Sequence, residues 1–79
     1  MGFATTEQEW AERAARHLKA ELKRANVTYD ELAERMKAHG FSETKASIAN
    51  KLARATMSAH FFLAALAATG RESVTLEDI

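Results

Sequence analysis

Apolar residues recur at helical spacing along most of the chain. Trp10, Ala11, Ala14, Leu18, Leu22 and Ala25 keep to one stripe, the three-to-four-residue period of an amphipathic helix. A second stripe holds Leu32, Ala33 and Met36, and a third holds Ile48 and Leu52. From Phe61 to Ala68 the alternation stops, and "FFLAALAA" is apolar on nearly every side. Such a helix sits centrally in a core or is shared with a partner.

Small polar residues mark where these helices begin. In "TEQE", Thr6 stands three residues before Glu9; in "TYDE", Thr28 stands three before Glu31. Both spacings predict a capping box, with each side chain bonding the other's backbone amide. Ser42 or Thr44 caps the third helix, and the fourth begins near Ser58. Gly40 is placed to end the second helix with positive φ. The expected helices run over about 7–25, within a 28–54 pair, and over about 58–69, with a short tail at 70–79. The tail alternates Val74, Leu76 and Ile79, so it packs as an extended strap or frays.

Composition agrees with an all-α chain. There is no proline or cysteine among the 79 residues, and alanine, leucine, glutamate and lysine are abundant. One domain over 1–79 is the expectation. Its margin of stability is small at this size, which favours a dimer. The lack of cysteine fits a reducing cytoplasm. The longest apolar run is far short of the ~20 residues a membrane span needs, so no membrane association is expected. The residues hold no nucleophile–base arrangement, no glycine-rich phosphate loop and no carboxylate pair, and the expected protein is not an enzyme. His17 and Glu21 have a spacing that suits a metal, but two ligands are too few; a surface ion pair is the expectation there. His39 and His60 are lone histidines. No metal or other cofactor is expected.

The formal net charge is zero, yet the charges are segregated. Residues 1–34 carry a net −2, residues 35–54 a net +4 and residues 55–79 a net −2. The basic third contains "FSETKASIANKLAR". In steps of about 100° per residue, Glu43, Ala46, Ser47, Asn50, Ala53 and Arg54 point away from Ile48 and Leu52, and Glu43 reads as a plain surface glutamate. Lys45 and Lys51 lie at the edges of the buried stripe, where their stems can cover apolar surface.

Two helices joined by a short glycine-containing turn form a helix-turn-helix pattern. With a long helix before and an apolar one after, the order resembles the lambda-repressor-like (XRE-type) helix-turn-helix superfamily. The matching residues are "VTYDELAERM", Gly40, the Ser/Thr-rich start of the third helix, Ile48, and Gly70 with "VTLEDI". A nearer resemblance, in "LKAELKRANVTYDELAERM", "IANKLAR" and "LED", is to an uncharacterised group of small bacterial proteins of this type. In one respect the chain departs from the pattern. Gly40 falls seven residues past Ala33, so the second helix is a turn longer or the turn is looser.

The resemblance implies an all-α bundle of four to five helices that binds duplex DNA. The residue chemistry fills in roles. Asn50 suits an adenine edge, and Thr44 and Ser47 suit bases or phosphates. Lys45, Lys51 and Arg54 suit phosphates, with Arg35 and Lys37 adding backbone contacts. The expected protein is a bacterial or phage transcription regulator, cytoplasmic and nucleoid-associated, acting as a homodimer. Trp10 and Phe61 are the candidate dimer contacts. The alternative is a protein-interaction module of the antitoxin or anti-regulator type, on the same fold and without DNA binding.

Overall fold

The computed structural model describes residues 2–79. Four α-helices follow in order: α1 Glu7–Ala25, α2 Tyr29–Met36, α3 Lys45–Arg54 and α4 Ala59–Ala68. Short 3₁₀ turns cover Lys37–His39 and Leu76–Asp78. Among the described residues there is no strand.

A serine or threonine hydroxyl caps each α-helix. Thr6, Thr28, Thr44 and Ser58 accept from the backbone N–H of Glu9, Glu31, Ser47 and Phe61 respectively. Each such cap is worth about 1 kcal/mol. Only α3 closes the reciprocal capping box, with the Ser47 hydroxyl accepting from the Thr44 N–H at 2.9 Å. The boxes expected at α1 and α2 are only half formed. Glu9 turns to the Thr5 N–H, and Glu31 pairs with Arg35.

The helix ends are set by left-handed residues. Gly40 (φ 86°) follows the 3₁₀ turn after α2. The extra residues between Ala33 and Gly40 are therefore a tightened last turn, not further α-helix. Asn26 ends α1 at φ 57° and Ala55 ends α3 at φ 54°. For alanine that conformation costs about 1–2 kcal/mol, and nothing in the local sequence announces it.

The helices α1 and α2 each pack against both α3 and α4. The core they enclose is Leu18, Leu22, Leu32, Met36, Ile48, Leu52, Phe61, Ala65 and Leu66, all buried. Arg35 ties α2 to the end of α4 by donating to the Ala68 carbonyl at 2.9 Å. A cation at a helix C-terminus also meets the favourable end of the dipole.

The tail is a strap. Arg71 donates to Glu21 at 2.8 Å. Thr75 and Asp78 share a polar groove with His17, while Leu76, Glu77 and Ile79 lie with Arg13 and Phe3. The segment after α4 thus runs antiparallel along α1, back to the N-terminus. Its anchor, Glu21, is a buried carboxylate and not the surface ion pair expected with His17. It accepts from Arg24 at 2.7 Å as well as from Arg71, and His17 stands 4.0 Å away.

Hydrogen bonds from Arg71 and then Arg24 hold the Glu21 carboxyl down at about 2, against an ordinary 4.5. A lowered folded value stabilises the fold fully above pH 4.5. That contribution is lost as pH falls through 4.5 towards 2. After allowance for solvent screening it is worth about 1–2 kcal/mol at neutral pH. Glu21→Gln is expected to lose that amount at pH 7 and to show a flatter acid limb. Urea midpoints measured from pH 7 to pH 2 check it, and superimposable profiles for the two proteins would refute the anchor.

Candidate nucleic-acid interface

The helix α3 has one buried side, formed by Ile48 and Leu52, and one open side. Lys45, Ala46, Asn50, Ala53 and Arg54 are exposed, and Ser47 and Lys51 are half-buried. No hydrogen bond or ion pair joins the side chains of Lys45, Asn50 or Arg54 to another described residue. The alanines keep this face low, so the polar groups stand clear of it.

Several of the residues expected to contact DNA are already engaged. Lys51 donates to Glu43 at 2.6 Å, and its ammonium lies 4.6 Å from the centre of the Phe61 ring. The Ser47 hydroxyl donates to the other oxygen of Glu43 at 2.6 Å. Burial pushes the Glu43 carboxyl up, but the bonds from Lys51 and Ser47 outweigh that and hold it below the usual carboxylate range. This Glu43–Ser47–Lys51 network staples the segment before α3 to its middle and to the core aromatic. Lys51 and Ser47 thus have partners within the chain, unlike Lys45, Asn50 and Arg54. Arg35 likewise bonds within the chain, to Ala68 and to Glu31, and remains exposed. Lys37 pairs with Glu34 in an exposed contact at 3.0 Å, the kind of pair worth little in water, and it stays free to exchange. Thr44 is exposed and uses its oxygen as the cap acceptor.

Phe61 is also corrected. It is 1 % exposed and packs edge-on against Phe41 at 6.3 Å, so its ring faces the core and no partner. Trp10 is 39 % exposed and stacks on Phe3 at 6.0 Å. It lies off the buried stripe, near the Phe3, Leu76 and Ile79 end of the strap.

Six of the eleven basic side chains have a carboxylate partner: Arg13, Arg24, Arg35, Lys37, Lys51 and Arg71. The other five, Arg16, Lys19, Lys23, Lys45 and Arg54, have none among the described residues and are exposed. Three of these five stand on α1. Their spacing was available in the sequence, but no role for Arg16, Lys19 and Lys23 was read from it. No group of three or more His, Cys, Asp or Glu among the described residues gathers to hold a metal. No described helix is long and apolar enough to cross a membrane.

These features define a small all-α protein with an open, partly basic helix face. Residues 10–74 match a family described as a domain of unknown function, DUF6471. The chain belongs to that family. No curated protein and no solved structure matches it significantly.

Proposed function

We propose that this chain is a sequence-specific duplex DNA-binding protein of the helix-turn-helix type, a small bacterial or phage transcription regulator acting as a homodimer. The open face of α3 carries the reading. Lys45, Asn50 and Arg54 project from a rigid helix that is capped at Thr44, stapled through Glu43 and backed by Ile48 and Leu52. A recognition helix needs that combination of free polar groups on a fixed support. The α2–turn–α3 order, with Gly40 between, supports the same reading.

Within it, Asn50 reads a base edge and Lys45 and Arg54 hold phosphates. A dimer doubles the phosphate contacts and adds half-site spacing as a source of specificity. The exposed Phe3–Trp10 pair, with Leu76 at 59 % exposure, is the apolar surface available for it. That patch also favours a second reading, a module that binds another protein and no DNA.

Selection from genomic fragments supplies a target site. On that site Asn50→Ala is expected to cost about 1–3 kcal/mol, with affinity for random-sequence duplex nearly unchanged. Equal losses on both DNAs would remove Asn50 as a base reader. Capture of a protein partner that survives changes at Asn50 and Lys45, with no fragment selected, would favour the module.

A further inference from the structure

The unpaired cations of α1 have a geometry of their own. Arg16, Lys19 and Lys23 recur at i, i+3 and i+7 and therefore share one face of the helix. That face is neither the buried one, centred on Leu18 and Leu22, nor the one under the strap, which carries Arg13, His17 and Glu21. It turns towards α3. Arg16 and Lys19 line a shallow groove whose other wall is Leu52, Ala53 and Ala55. Arg54, the last residue of α3, is thus beside them in the chain's fold.

We propose that Arg16, Lys19 and Lys23, continued by Arg54, form a track for the sugar-phosphate backbone of duplex DNA flanking the groove that α3 enters. The inference rests on the DNA-binding reading above and names a second contact region for it. Charge complementarity selects the occupant. Six of the other seven basic side chains are held by carboxylates, Lys45 on the open face of α3 being the exception, whereas these four stay free on neighbouring faces of α1 and α3. From Arg16 to Lys23 the helix rises about 10 Å, so the three cations can meet more than one phosphate of a strand. One carboxylate, Glu12, lies at the N-terminal end of the groove. It accepts from Gln8 at 2.8 Å, and it bounds the track on that side.

The α1 track also resolves how a chain with zero net charge presents a cationic surface. Its acidic residues are spent on partners or stand in the strap and in the first turns of α1 and α2. The basic side is built from two helices that are far apart in sequence, so the basic segment 35–54 shows only part of it.

The test is the salt dependence of binding to a random-sequence duplex. It compares wild type with the triple variant Arg16→Gln, Lys19→Gln, Lys23→Gln. Glutamine keeps helix propensity, and circular dichroism verifies the fold. The variant is expected to give a slope of log K against log salt that is shallower by about 0.9 for each lost contact. As a control, Ser73→Glu with Thr75→Glu lowers the net charge by two on the strap side, against three for the triple variant. It is expected to leave the slope unchanged. If wild type binds and the triple variant keeps the wild-type slope, the track is wrong while the DNA reading stands. If the control shifts the slope as much as the triple variant, net charge and not contact is responsible, and the track is again wrong. If folded wild type binds no duplex, the DNA reading fails and the track falls with it.

Discussion

Replacing Phe61 with alanine is expected to destabilise the domain by about 3–5 kcal/mol, the usual cost of deleting a buried aromatic. A chain of this length has a total stability of about 4–12 kcal/mol, so the variant sits near the folding threshold. Phe61 is the bulkiest of the fully buried side chains. Its ring meets Phe41 edge-on and seats the Lys51 ammonium, which in turn holds Glu43. Truncation therefore opens a cavity and loosens the support of α3 together. Urea unfolding at two protein concentrations separates this role from one in a dimer interface. A core residue lowers the midpoint equally at both concentrations, whereas an interface residue acts through the concentration dependence. A wild-type midpoint for Phe61→Ala would contradict its placement. Trp10→Ala, by contrast, is expected to affect chiefly the concentration dependence.

Ala46→Glu is expected to abolish DNA binding, by at least about 100-fold, while leaving the fold intact. Ala46 is exposed in the first turn of α3. Glutamate is a good helix former, and a negative charge near a helix N-terminus is favoured by the dipole. The substitution therefore has no structural reason to harm the domain. Against DNA it sets a carboxylate between Lys45 and Asn50, facing phosphates, and like-charge juxtaposition at an interface costs several kcal/mol. Fluorescence anisotropy with the selected duplex, beside thermal unfolding, reads both quantities. A folded Ala46→Glu protein with wild-type affinity would show that the outer face of α3 does not meet DNA.

Local chemistry made the helices legible in the sequence. Thr6, Thr28, Thr44 and Ser58 each stand immediately before a periodic stripe, and each caps the helix that follows. The four helices and their bounds follow from that and from the 3.6-residue period. The residues of α4 were harder to place. A helix apolar all round gives no angular signal, so nothing in "FFLAALAA" separates buried Phe61 from Leu63, which is 58 % exposed. Long-range partners were hidden altogether. Glu21 and Arg71 are 50 positions apart, and only the folded strap joins them.

The open face of α3 was legible because it depends on period alone. Which of its polar residues remain free was not. Lys51 and Ser47 look like phosphate ligands until Glu43, a residue from before the helix, turns in to bind them. Likewise Arg35 looks like a surface cation until the last turn of α4 reaches it. The Ala55 turn has no sequence signature, since nothing local to an alanine announces a positive φ.

On the reading proposed above, this neutral chain presents a cationic side that binds nucleic acid. The most direct measurement is the affinity of wild-type protein for random-sequence duplex as salt is raised from about 50 to about 200 mM. Detectable binding is expected at the low end, with a linear fall of log K with log salt and a slope of about −0.9 per phosphate contact. No binding at about 50 mM salt, by protein shown to be folded, would contradict it.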